Sequence, residues 1–297
     1  MMKQKNEKKN TSKVIIINSI LLIACLLVCA TLIGYLTIKN NKSTSDSSTM
    51  PSSSKQISKS NHRVKWVKQS NEIKFPILMY HAIHDMAPEE ANNANLIVSP
   101  ETFNTHIKAL KKENYYFLTP EEAYKVLNEN VLPNNNKKII WLTFDDSLED
   151  FYTQAYPILK KYKVKATNNV ITGMTEQGLA DHLTLDQMKE MHSNGIALQS
   201  HTVNHPDLSK ETDNIATQEM EEADNYLDSN FNQDTIAIAY PAGRYSNNTL
   251  AIASQYYKLG VTTNEGLASK SDGLLSLNRV RILPTTTSES LLSQISN

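Results

Sequence analysis

The sequence predicts an α/β domain on a mainly parallel sheet, open or closed into a barrel, over residues 75–297. Three observations carry that expectation. Short, β-rich apolar runs alternate with longer segments of helical spacing. Two of the helical segments open on a capping residue followed by proline, and residues able to do chemistry collect where the short runs end. In parallel α/β sheets the carboxyl ends of the strands form the site.

The elements are expected in this order. Strands fall at 76–80, 138–144, 164–171, 196–200, 235–240 and 259–263, each a short run too brief for a helix and rich in β-formers. Helices fall at 100–113, 120–128, 149–162, 183–192, 212–228 and 247–255. Ser99 and Thr119 cap the first two, with Pro100 and Pro120 at the first helical position. Strand followed by helix, repeated, is the pattern of parallel pairing, and sequence alone leaves closure of the sheet open.

The N-terminal part has a different character. Residues 1–13 form a basic tail with five Lys and one Glu, and residues 14–38 contain no charged side chain. As a helix at ~1.5 Å per residue, the uncharged stretch would measure about 37 Å, more than a ~30 Å hydrocarbon core. It is expected to be a single transmembrane signal anchor, with the N-terminus cytoplasmic and the remainder extracellular. A cleaved signal peptide shares the pattern. Leu22, Ile23, Ala24 and Cys25 also resemble a lipoprotein cleavage box, which would lipidate Cys25, although the apolar run continues to Ile38. Both cysteines, Cys25 and Cys29, lie in that run, so disulfides and thiol redox chemistry are not expected outside the membrane. Residues 39–74 read as a disordered Ser/Thr/Lys-rich stalk, eleven of the eighteen residues 43–60 being Ser or Thr.

The whole chain carries −1 and residues 1–72 carry +9, which leaves −10 for residues 73–297. So acidic a domain would repel phosphate backbones, and nucleic acid is excluded as a partner.

Four predicted strand ends carry polar clusters: His81; Asp145, Asp146 and Ser147; His201 and His205; and Tyr240, Pro241, Ala242 and Gly243. Asp145 and Asp146 alone would read as a turn or helix cap. Side chains of successive extended residues point apart, so this pair does not easily flank one bond as glycosidase carboxylates do; it suits two jobs, one on a metal and one on a water. Pro206 keeps His205 out of a helix, so the two histidines are expected in a loop. With Asp146 they supply two imidazoles and one carboxylate and leave positions open, the donor set of a catalytic divalent site.

These residues carry a resemblance. Thr143, Phe144, Asp145, Asp146 and Ser147 resemble the T-F-D-D-G motif of the NodB-homology polysaccharide deacetylases, carbohydrate esterase family 4. His201 to His205 resemble that family's H-[ST]-x-x-H motif, and Tyr240 to Gly243 are similar to its third motif. The resemblance implies a distorted (β/α) barrel of about seven parallel strands. It also implies metal-dependent N-deacetylation of amino-sugar polymers, poly-N-acetylglucosamine or peptidoglycan, with no obligate protein partner. It gives Asp146, His201 and His205 to the metal, most readily zinc, with cobalt, nickel or manganese as alternatives. Asp145 would be the general base, and Ala242, Tyr240 and Pro241 would bind the oxyanion and substrate.

The departures are informative. Ser147 stands for Gly, acceptable if that position needs no positive φ. Ala239 and Ala242 stand for the usual Arg and Tyr, so the orienter of the base is missing; Arg279 or Arg281 is expected to replace it. No histidine follows His205, so the family's late acid is absent. Met79, Tyr80 and His81 resemble the segment of the poly-N-acetylglucosamine branch, in which an N-terminal histidine is the acid, and His81 is assigned that role. His84 is a weaker neighbour of the site, His106 and His192 read as packing or surface residues, and Tyr80, Tyr240 and Tyr245 are candidate sugar platforms. The competing reading is a non-catalytic polysaccharide-binding module on the same fold.

Overall fold

The computed structural model describes residues 64–296. The basic tail, the expected anchor with Cys25, and the stalk up to residue 63 lie outside them. Among the described residues no helix is long and apolar enough to cross a membrane.

Seven strands form the barrel: β1 (Ile77–Tyr80), β2 (Ile139–Phe144), β3 (Thr167–Val170), β4 (Ala197–Ser200), β5 (Ala237–Ala239), β6 (Leu259–Glu265) and β7 (Leu277–Arg281). Each pairs in parallel with the next in chain order. β7 pairs in parallel with β1 and closes the ring. Six of these strands overlap the predicted runs, five lying wholly within them and β6 extending two residues past 259–263. β7 overlaps none, because its sequence Leu-Asn-Arg-Val-Arg lacks the apolar run of its neighbours. Burial inside a closed barrel rather than local composition makes it a strand.

Helices α1 (Pro100–Lys112), α2 (Pro120–Glu129), α3 (Tyr156–Tyr162), α4 (Thr172–Gln177), α5 (Leu185–Ser193), α6 (Asp213–Phe231), α7 (Asn247–Tyr256) and α8 (Ser288–Ile295) connect and flank the strands. Ser99 accepts a hydrogen bond from Thr102 N and Thr119 from Glu122 N, the caps expected of α1 and α2. The helix expected at 149–162 instead starts with a π-turn, Phe151–Ala155, before α3.

Period two sorts each strand's side chains. In β2, Ile140, Leu142 and Phe144 pack outward against Phe103 and Ile107 of α1 and against Phe151. Ile139 and Trp141 pack inward with Ile77, Ala237, Ala239, Leu259, Val261 and Leu277. Trp141 is fully buried and its Nε1 donates to Thr167 Oγ1 at 2.7 Å, so it plugs the bore instead of stacking on a sugar.

The stalk boundary at residue 74 needs correction. Trp66–Lys68 pairs antiparallel with Val131–Pro133, and Lys74–Phe75 with Ala268–Ser269. Both partners lie far along the chain, so no local pattern marks these residues as structured. Phe75 caps the inward-facing cluster.

Candidate active site

Asp145 continues the inward face of Trp141 and Thr143 and ends up 3% exposed at the carboxyl end of β2. Its backbone N–H donates to Tyr80 O at 3.0 Å, fixing where the strand ends relative to β1. Arg279, also buried and inward-facing on β7, grips both carboxylate oxygens: Nη1 donates to Oδ1 at 2.9 Å and Nη2 to Oδ2 at 2.7 Å. Arg279 Nε donates to Thr262 O at 2.7 Å and Nη1 to Thr143 Oγ1 at 3.1 Å, so the guanidinium of β7 is anchored on β6 and β2. Ala239 also faces the bore, so a small side chain stands where the family places an arginine, and β7 supplies the guanidinium instead. Arg281 is half-buried and makes no such contact.

Asn169 of β3 adds a further donor, Nδ2 to Asp145 Oδ1 at 2.7 Å. Sequence reasoning passed over it; the signal was an Asn pair inside a β-run, costly there unless its polar groups are used. Burial alone would raise the Asp145 carboxyl, but Arg279 and then His201 hold it far below the usual carboxylate range.

Asp146 turns away at φ +76°, and Ser147 follows at φ +52°. The condition set for Ser147 therefore fails: the position does need a positive φ. Serine is held there because its Oγ accepts from Ile171 N at 3.2 Å and its carbonyl from Leu183 N at 2.9 Å. The turn aims Asp146 at the histidines. Its Oδ1 lies 3.3 Å from His201 Nε2 and 3.6 Å from His205 Nε2, and one donor atom from each of the three falls within 4.8 Å of the others.

His201 Nδ1 donates to Ala239 O at 2.7 Å, which leaves Nε2 as the nitrogen facing Asp146. Burial lowers the His201 pKa, but Asp146 and Asp145 outweigh it and raise it, so the site favours a positive charge at this point. Burial and His201 lower the pKa of His205. Three donors and a demand for positive charge fit a divalent cation.

His81, 14% exposed, stands across the cleft with Nε2 3.9 Å from Asp145 Oδ2. Burial pulls its pKa down against the attraction of Asp145 and Asp146. His84 points elsewhere: its Nδ1 lies 2.6 Å from Asp150 and its Nε2 3.0 Å from Glu90. Burial opposes its charge, but those carboxylates outweigh it and raise its pKa. His81, His84, Glu90, Asp146 and Asp150 line a cavity of about 500 Å³ next to the site.

The third cluster forms a tight turn, Pro241–Gly243, with Ala242 exposed at φ +51°. A Cβ on Gly243, at φ +69°, would sit 2.1 Å from Thr263 Oγ1, so this residue must be glycine. The turn's backbone bonds use the amides of Gly243 and Arg244, to Tyr240 O and Pro241 O.

Two expected sugar platforms are corrected. Tyr240 is fully buried, packs outward among Leu208, Met220 and Ile252, and donates its O–H to Leu275 O at 2.9 Å. Tyr80 is buried with its O–H 3.0 Å from His106 Nδ1, while His106 Nε2 donates to Thr286 O at 2.8 Å. The outward phase of their strands, invisible without the register, turns both rings from the mouth. Pro241 is buried as well, and Tyr245 is half-buried against Tyr240. His192 packs beside Phe231.

Comparison with known proteins agrees with this geometry. A polysaccharide deacetylase family model matches residues 133–261. The chain is 40% identical over 220 residues to YxkH of Bacillus subtilis, named as a polysaccharide deacetylase, across 74% of this chain and 75% of that one. It is 32% identical over 170 residues to the poly-beta-1,6-N-acetyl-D-glucosamine N-deacetylase of Staphylococcus aureus, across 53% of this chain and 58% of that one. The solved Streptococcus pyogenes deacetylase PplD in complex with acetate matches with a TM-score of 0.74 and 59% identity, covering 76% of this chain and 100% of that one. A closed parallel barrel, the clustered motif residues at its mouth and these similarities together show that the chain belongs to the polysaccharide deacetylase family of hydrolases.

Proposed function

We propose that this chain removes N-acetyl groups from N-acetylglucosamine residues of an extracellular or cell-wall polysaccharide, poly-N-acetylglucosamine or peptidoglycan, by metal-dependent hydrolysis that releases acetate. The observation that carries the reading is a buried carboxylate locked by Arg279 beside a trio of one carboxylate and two imidazoles, with His81 3.9 Å across the cleft. The acetate in the S. pyogenes relative and the substrate named for the S. aureus relative support it. The uncharged stretch at 14–38 would hold the domain on the outer face of the membrane, with residues 1–13 in the cytoplasm.

Asp146, His201 and His205 would hold the metal, zinc first among the candidates. A divalent ion bound there supplies Lewis-acid polarisation of the acetamide carbonyl and an activated water. Asp145, fixed by Arg279 and Asn169, accepts the proton of the attacking water. The Ala242 N–H, left over by the turn's own bonds, donates to the developing oxyanion. His81 protonates the departing sugar amine.

The full-length protein, stripped with chelator and reloaded with zinc or cobalt, is expected to release acetate from N-acetylglucosamine oligomers or from peptidoglycan only when metal is present, with sugar chain length unchanged. Shortened chains would indicate a glycosidase, and no acetate from either polymer with folded, metal-loaded protein would leave a binding module. His81→Asn is expected to lower kcat on the sugar amide by roughly 10²- to 10³-fold, the range of a lost general acid. The same variant should act nearly normally on an aryl acetate, whose leaving group needs no proton. Equal losses on both substrates would remove His81 from the acid role.

A further inference from the structure

The loop that carries both metal-site histidines is strained. Thr202 and His205 sit at φ +67° and φ +58°, conformations that L side chains hold only when their surroundings impose them. The rest of the fold ties the loop down. Ser200 Oγ accepts from Thr202 N at 3.3 Å, and Thr202 Oγ1 accepts from His205 N at 3.0 Å. The carbonyls of Thr202 and Val203 accept from Thr172 N at 3.1 Å and Gly173 N at 2.9 Å. Gly173 must lack a side chain, since a Cβ would lie 2.7 Å from Val203 O.

The apex amides remain, and one side chain takes them all. Glu219 of α6 accepts from Val203 N at 2.9 Å and Asn204 N at 2.8 Å on Oε2, and from Asn204 Nδ2 at 2.7 Å on Oε1. Glu219 is only 8% exposed. It interrupts an otherwise apolar helix stripe of Ala216, Met220, Ala223 and Leu227, where an apolar residue would pack more cheaply.

We propose that Glu219 is a positioning residue of the metal centre: its carboxylate holds the 201–205 loop in the conformation that converges His201 and His205 on Asp146. The inference rests on the metal-site reading above and deepens it. Glu219 is not one of the three clustered metal-site donors, and its bonds go to Val203 and Asn204. It acts through the spacing of the two imidazoles, as partners behind the ligands do in metal sites generally.

The test titrates Co(II) alone into full-length wild type and variants against a chromophoric chelator, with the Co(II) absorption bands reporting ligand geometry. Glu219→Leu is expected to weaken Co(II) binding by about 10- to 100-fold and to alter the bands. Asn204→Ala, which removes one of the three bonds at an exposed residue, should weaken it several-fold. Glu219→Gln should stay near wild type, because the Asn204 amide can turn its oxygen toward the new donor. Glu222→Gln, on the exposed face of α6, should change nothing. Wild-type affinity and bands in Glu219→Leu, whatever its melting temperature, would reduce Glu219 to a packing role. Should Glu219→Leu fail to fold, wild-type affinity in Asn204→Ala would overturn the proposal by itself. Absence of Co(II) binding by the wild type would overturn the metal centre instead, a distinct result.

Discussion

Asp145→Asn is expected to retain bound metal and lower kcat by roughly 10²- to 10⁴-fold, the loss associated with removing a positioned general base. The change is nearly isosteric, so the site keeps its shape, but the hydrogen bonds do not all survive. Oδ1 accepts from both Arg279 Nη1 and Asn169 Nδ2, and the amide oxygen can keep those bonds. The new NH₂ then faces Arg279 Nη2, which in the wild type donates to Oδ2 at 2.7 Å. Two donors in opposition in a buried site cost about 1 to 3 kcal/mol. For a domain of this size each kcal/mol corresponds to roughly 2 to 4 °C of melting temperature. The prediction therefore has two readouts, turnover by acetate release and melting by calorimetry. A variant with wild-type turnover would show that Asp145 is an anchor for Arg279 and takes no proton.

Much of this site was legible in the sequence because its residues stand at chain positions with local signatures. Asp145, Asp146, His201 and His205 follow short apolar runs, and strand ends are where a parallel sheet presents chemistry. The residues that hold them in place were legible only in part. Asn169 and Glu219 matter through contacts 24 and 15 or 16 positions away in the chain, and no motif marks either of them. Glu219 did leave a trace, a charge inside an apolar helix stripe, which is the kind of local conflict that marks a functional constraint. Tyr80 and Tyr240 show a related limit: a strand's composition does not reveal which of its two faces is outward, and both rings are buried.

The fold divides in the same way. Strands β1, β2 and β5 are runs whose apolar character reflects burial on both faces, whereas β3, Thr-Asn-Asn-Val, is fully buried although mostly polar. β7 reads as polar because its inward residue Arg279 serves Asp145 instead of filling the bore. Departures from the hydrophobic pattern thus mark site-building strands: β3 supplies Asn169, and β7 completes both barrel and site. Trp66–Lys68 was invisible for a simpler reason, since its pairing partner lies more than sixty residues on.

Arg279→Met should give the largest loss of stability. It removes the guanidinium but leaves Asp145, 3% exposed, without its counter-charge. Breaking a buried ion pair from one side costs about 3 to 5 kcal/mol, because the remaining charge is neither hydrated nor paired. That corresponds to roughly 6 to 20 °C of melting temperature. The pH dependence separates this cause from a simple packing defect. In the wild type Asp145 is depressed in the folded state, so its contribution is fully present above the unfolded value near 3.9 and is lost as pH falls through the folded pKa. In the variant, burial acts without Arg279 and raises the folded pKa, so the protonated carboxyl is the form that folding accepts. The melting difference between the two proteins should therefore be greatest near neutrality and shrink as the medium is acidified. Turnover should fall by about 10²-fold through misplacement of the base, and its acid limb should move to higher pH. Arg279→Lys should recover only part of both losses, because a single ammonium cannot reproduce the two-pronged grip on Asp145 together with the bond to Thr262. A melting difference that stayed constant across pH would mean that Arg279 stabilises the barrel by filling space, and its charge would then have no part in holding Asp145.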